Sequence, residues 1–226
     1  MNHLRPHQVF DRVERTDCLA RICLPRRYSL TSMLERAILS SLLKIIKPHT
    51  AFEFGTYLGE TTLILAANTT AKIYSIDLDQ SQMQKGIRTK LDKFELVNIR
   101  KRFSEEPVFK ATEYEKRIET LAGDSTTYDF SPFYQEIDFV LIDGGHHVDV
   151  VASDSQQALK MLSLDRPACV LWHDYGNPHY RITDYLDELC RKFELWHVDE
   201  TTYVFLMINV DEKIFPFSSM SICPQG

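Results

Sequence analysis

What this chain lacks narrows the reading first. Its longest apolar runs, such as Leu63 to Ala67, fall far short of the roughly 20 residues a membrane helix needs. Arg5, Asp11, Arg12 and Glu14 occupy the stretch where a secretory leader would be apolar, so export is not expected. The five cysteines (Cys18, Cys23, Cys169, Cys190, Cys223) are odd in number and contain no C-x-x-C pair. That usage fits reduced thiols in the cytoplasm, with Cys169 and Cys190 as small buried hydrophobes. No repeat period or low-complexity tract is visible. A basic excess is missing too: the net charge of −6 argues against a nucleic-acid partner. Two basic clusters, Arg26-Arg27 and Arg100-Lys101-Arg102, read as solvated faces able to touch a phosphate. Finally, no glycine run has the Gly-x-Gly-x-x-Gly form that cradles a dinucleotide pyrophosphate.

What is present is the composition of an ordinary globule, 44% hydrophobic and 26% charged. At 226 residues the chain suffices for one large α/β domain. Residues 1–28 read as a polar N-terminal arm. From Ser29 to Lys47 apolar residues recur at helical spacing, with Ser29 or Thr31 as cap and Pro48 as the stop. Strands are expected at Ala51–Phe54, Lys72–Ile76, Arg117–Leu121, Ile137–Ile142 and Ala168–Trp172. Helices are expected at Glu60–Ala67, from Gln80 to about Phe94, from Val148 to Leu162 and over Tyr180–Phe193. Residues 95–116 read as an insertion with a short helix near Ala111 to Lys116, capping a substrate site or forming a subunit contact. Glu194–Val198 and Thr202–Ile208 read as a closing antiparallel hairpin, and 211–226 as a tail. The implied fold is α/β: a doubly wound, mostly parallel seven-stranded sheet over residues 29–210, one antiparallel strand near its edge, helices on both faces.

In such a sheet, ligands sit beyond the carboxyl ends of the strands. Each expected parallel strand ends in or near an acid: Glu53, Asp77, Asp124, Asp143 and Asp174. Any one of them can be a helix cap, but the whole set points into one crevice. The turn after the first strand is Glu53-Phe-Gly-Thr-Tyr-Leu-Gly59, with Tyr57 where a dinucleotide loop has its second glycine. Gly55 and Gly59 there suit a nucleoside cofactor without phosphates, and Asp77 can accept both hydroxyls of its ribose.

Residues 30–210 resemble the class I S-adenosylmethionine-dependent methyltransferases. The first motif is matched by Glu53 to Gly59, the ribose acid by Asp77, and the adenine-contacting segment by Gly123-Asp124-Ser125. The resemblance implies that Glu53, Gly55, Thr56, Tyr57, Gly59, Asp77, Asp124, Ser125 and Asp143 surround S-adenosyl-L-methionine. A narrower resemblance, to small-molecule O-methyltransferases of the macrocin type, rests on three stretches. They are Phe139-Val-Leu-Ile-Asp-Gly-Gly-His-His147, Asp154, and Val170-Leu-Trp-His-Asp174. It implies Asp143 and Asp174 as ligands of a divalent metal and His146 as the base.

His173 stands where a metal-binding member more often has a carboxylate. Strand alternation predicts that it faces away from Asp174, packed under the loop. Asp143 and Asp174 alone suit magnesium; His173 as a third ligand would favour manganese, iron or zinc. His146 and His147 are each open to a loop-bonding role instead. Asn177 and His179 could contact the acceptor, although Asn177-Pro178 also reads as a turn. The expected function is methyl transfer to a hydroxyl of a small molecule. The alternatives are a catalytically silent cofactor-binding or scaffold subunit and a nicotinamide oxidoreductase. No membrane partner is expected, and assembly into a homo-oligomer stays open.

Overall fold

The computed structural model describes residues 1–25, 29–80 and 93–211, with only the backbone of 93–95. Arg26-Arg27, most of the helix expected from Gln80 (with Met83, Ile87 and Leu91), Cys223 and the tail beyond Asp211 lie outside the described residues. The strands are β1 (Asn2–Leu4), β2 (Thr50–Phe54), β3 (Lys72–Asp77), β4 (Ile118–Ala122), β5 (Phe139–Ile142), β6 (Ala168–Trp172), β7 (Trp196–Val198) and β8 (Val204–Ile208). The helices are α1 (Pro6–Phe10), α2 (Met33–Ile46), α3 (Glu60–Ala67), α4 (Lys93–Arg102), α5 (Val148–Met161) and α6 (Ile182–Leu189).

All eight strands join one sheet in the order β1-β7-β8-β6-β5-β2-β3-β4. Among the described residues, only β8 runs against its neighbours, antiparallel to both β6 and β7. Alternation sorts the central strands onto two cores. Ala51, Ile73, Phe139, Leu141, Cys169 and Leu171 pack with α2 and α3 on one face. Phe52, Phe54, Val140, Ile142, Val170 and Trp172 pack with α5 and α6 on the other. Both faces are buried, so β5 and β6 read as continuous apolar runs. The order reverses between β2 and β5, and the gap at their carboxyl ends is where such folds bind ligands.

Three expectations change here. The sheet has eight strands instead of seven, because the N-terminal arm supplies β1, which pairs in parallel with β7. Leu4 and Val9 are buried in the core, and the Arg36 guanidinium, fully buried, binds the carbonyl of Cys23 in the arm and that of Thr31 just beyond it. Helix α2 starts at Met33, capped by Ser32 instead of Ser29 or Thr31. Ser32 Oγ accepts from Glu35 N–H while Glu35 returns the bond to Ser32 N–H, a capping box. Residues 95–116 begin inside α4 and then fold over the first loop. Phe109 is buried against Gly59, and Glu115–Arg117 form a 3₁₀ turn where a helix was expected.

Candidate functional site

A cleft of about 780 Å³ opens at the switch point between β2 and β5. Its first half is built by the β2–α3 loop. Gly55 has φ +95°, and a Cβ there would stand 2.1 Å from the Asp143 carbonyl oxygen. Gly55 is therefore required by the neighbouring β5 loop, not only by a ligand. Tyr57 also takes a positive φ, 44°, which turns its N–H onto Asp77 Oδ2 at 2.8 Å. Asp77 accepts Leu78 N–H on Oδ1 at 2.7 Å, and Arg102 Nε lies 3.1 Å from Oδ2. Burial raises the Asp77 pKa, against the pull of Arg102 and these N–H donors. Arg102, expected on a solvated face, is turned into the cleft instead, because Asp77 is the carboxylate within its reach.

Glu53 does not line the cleft. It is fully buried beneath the loop, where Thr61, Thr62 and Ser75 hydroxyls donate to its carboxylate. Burial pushes its pKa up to about 7 despite those three donors. It ties α3 to β2 and β3, so its expected place against the cofactor is corrected to a support under it. Thr56 is buried as well, its Oγ1 2.6 Å from Ser75 Oγ. Asp124 and Ser125 do line the cleft, and Asp124 Oδ1 accepts Thr126 N–H and Oγ1–H at 3.0 and 2.7 Å.

The second half gathers around the end of β6. Asp174 has φ +68°, a left-handed turn that breaks strand alternation. The expectation that His173 faces away from Asp174 fails for that reason. His173 Nδ1 lies 3.1 Å from Asp143 Oδ1 and 3.4 Å from Asp174 Oδ2. Trp172 is the residue that points away, its Nε1–H donating to Ser155 Oγ on α5. Donor atoms of Asp143, His173 and Asp174 all lie within 4.8 Å of one another. Burial alone would lower the His173 pKa; the carboxylates of Asp143, Asp174 and Glu35 outweigh it and raise the value well above that of a free histidine. Glu35 Oε1 stands 3.7 Å from His173 Nε2 and accepts Thr202 N–H and Oγ1–H at 3.0 and 2.9 Å.

His146 Nε2 lies 3.2 Å from Asp174 Oδ2, and its ring stacks on Tyr180 at 4.3 Å. Asp174, contacted by both His146 and His173, is held far below the usual carboxylate range although burial opposes this. His147 serves as the N-cap of α5, its Nδ1 facing Asp149 N–H at 3.4 Å. Asn177 closes the loop, Nδ2–H donating to Asp174 Oδ1 at 3.1 Å, and it lines the cleft with His179.

A family model described as a methyltransferase domain matches residues 52–175, more than half of the chain and all of the strand ends just described. The chain belongs to the methyltransferase domain family. Solved structures share the class I methyltransferase fold. A proposed caffeoyl-CoA O-methyltransferase of Staphylococcus aureus superposes with a TM-score of 0.55 at 11% identity, covering 79% of this chain and 84% of that one. The SAH-bound methyltransferase of Podospora anserina gives 0.54 at 15% identity, over 91% and 89%. The O-methyltransferase of Bacillus cereus in complex with SAH gives 0.52 at 14% identity, over 88% and 89%. No curated protein matches at the sequence level.

Four residues of this methyltransferase were not assigned a role from the sequence. Glu35 sits in the first turn of α2, and its reach to His173 depends on how α2 packs. Arg102 approaches the cleft from α4, and Tyr180 from the loop after β6 that also carries Asn177 and His179; no local pattern gave either a role. Asp154 was noticed in the motif without a role. It is buried on α5, lines the cleft, and its Oδ1 has no hydrogen-bond partner. Burial, aided by Asp124 and opposed by Ser125, pushes its pKa up to about 7.

Proposed function

We propose that the protein transfers the methyl group of S-adenosyl-L-methionine to a hydroxyl of a small molecule, with a divalent metal at Asp143, His173 and Asp174 and His146 as base. The observation that carries this reading is one cleft joining a ribose-type acid, Asp77, to the Asp143–His173–Asp174–His146 group. The orphaned Asp154 Oδ1 beside Asp124 and Ser125 fits the adenine end of the cofactor, since a nucleobase amine would satisfy it. Ribose hydroxyls would share the Asp77 carboxylate with Tyr57 N–H and take the place of Arg102. The bound cofactor supplies an activated methyl on a sulfonium, so the chain's residues chiefly align donor and acceptor.

Two carboxylates and an imidazole, with a further carboxylate behind the imidazole, form a donor set that fits a divalent cation. When bound there, such a metal lowers the pKa of a coordinated hydroxyl. Asp174 Oδ2, 3.2 Å from His146 Nε2, orients the imidazole, and a ring held this way by a carboxylate is suited to act as a base in its neutral form. Stacking on Tyr180 holds the ring at that angle. Asn177, His179 and Tyr180 line the acceptor side of the cleft.

Thermal denaturation with and without cofactor tests the reading. Saturation at a hundred times the dissociation constant should add about 2.7 kcal/mol, roughly 5–10 °C for a domain of this size. No shift at millimolar S-adenosylmethionine would overturn the proposal. A shift with NAD alone would favour the oxidoreductase. A shift without turnover on any hydroxylated acceptor would favour a silent cofactor-binding subunit.

A further inference from the structure

We propose that His3, His197 and Asp199 form a zinc site that fastens the N-terminal strand to the edge of the sheet. None of the three lines the catalytic cleft. Strands β1 and β7 pair in register with His3 opposite His197, and Asp199 N–H donates to the Leu4 carbonyl at 2.8 Å. The ligands thus come from the two ends of the described chain and meet at one point.

The spacing is that of a tetrahedral ion. With zinc–ligand distances of about 2.0–2.2 Å, the donors of a tetrahedron stand about 3.4 Å apart. Here His3 Nδ1 is 2.9 Å from Asp199 Oδ1 and 3.5 Å from His197 Nδ1, and His197 Nδ1 is 3.8 Å from Asp199 Oδ1.

The orientation of His197 is set independently of this trio. Its Nε2 lies 2.9 Å from the carbonyl of Thr201, which can only accept. The hydrogen of the neutral ring is therefore on Nε2, and the Nδ1 lone pair is turned toward His3 and Asp199. A carbonyl behind the far nitrogen is the arrangement that orients metal-ligating histidines. An exposed His3–Asp199 contact alone adds little stability and does not require a second imidazole nitrogen aimed at it. Two nitrogens and one carboxylate oxygen favour zinc over magnesium or calcium, and the partly exposed His3 and Asp199 leave the fourth position to water.

The test uses the full chain, stripped with a chelator and titrated with zinc against a chromophoric competitor. Asp174→Asn serves as the parent, which separates this site from the cleft. The parent should bind zinc through the edge site and give the intense visible spectrum of tetrahedral cobalt when Co²⁺ replaces it. Adding His3→Ala, at an exposed position, should remove one equivalent of zinc binding and abolish that spectrum. Asp199→Asn, which keeps the shape of the turn, should do the same. Zinc should raise the melting temperature of the parent and not that of the His3→Ala form. Equal zinc stoichiometry and affinity with and without His3→Ala would overturn the proposal.

Discussion

Glu53 and Asp154 are carboxylates whose burial outweighs their hydrogen bonds, and both titrate near neutrality. The consequence has a definite sign. A carboxyl whose folded pKa is about 7 and whose ordinary value is 4.5 keeps its proton in the folded state while the unfolded chain has lost it. Stability contributed by Glu53 is therefore full below pH 4.5 and declines as pH rises to about 7. The total is about 3 kcal/mol at most. Urea unfolding of wild type and Glu53→Gln at pH 5 and pH 8 reads it: the variant should lose less stability between the two. Parallel pH dependence in both proteins would mean that Glu53 ionises normally. At the same scale, Gly55→Ala places a methyl inside the Asp143 carbonyl at a positive φ. It should destabilise by about 2 kcal/mol or more and weaken cofactor binding, because the β2 and β5 loops must separate. His146→Ala should preserve the cofactor-induced melting shift and lower kcat by about 10²–10⁴-fold; unchanged turnover would place the base elsewhere.

At the scale of elements, α2 links local helix chemistry to the site. Ser32 and Glu35 close its capping box, and the second oxygen of Glu35 reaches Thr202 and His173. The two caps should therefore separate in their effects. Ser32→Ala should cost about 1 kcal/mol and leave kcat unchanged. Glu35→Ala should lower kcat and the affinity for the proposed metal by about 10–100-fold, because His173 loses its outer partner. Urea titration with steady-state kinetics on both variants checks this; equal kinetic effects would reduce Glu35 to a cap. The end of β6 shows how an element's last residue redirects a site. The left-handed turn at Asp174 brings His173 and Asp174 to one side, which a period-two reading of Val170 to Asp174 forbids. That turn is held by a tertiary contact, Tyr175 N–H on the Thr202 carbonyl, together with a local one, Asn177 on Asp174.

For the whole molecule, the N-terminal arm is part of the domain. Strand β1 completes the sheet edge, and Leu4 is only 3% exposed. Leu4→Ala should cost about 2–5 kcal/mol, roughly 4–20 °C in melting temperature for a chain of this length. An unchanged melting temperature would show that β1 does not dock in solution.

The order of strands and helices was legible because β-rich apolar runs and helical spacing are local patterns. Helix α3 starts at Glu60, and strand β6 spans Ala168–Trp172, where the sequence predicts. So was the cluster of strand-end acids, since parallel βα units put every carboxyl end on one side of the sheet. The family followed from the same motifs. What the tertiary structure decided is which of those acids face the cleft. Glu53 was drawn under the loop by three hydroxyls from two other elements, and Arg102 was drawn to Asp77. His173 was swung beside Asp143, and β1 was carried to an edge formed by the far end of the chain. Each outcome depends on contacts between residues distant in sequence, whereas residue spacing encodes only the near ones.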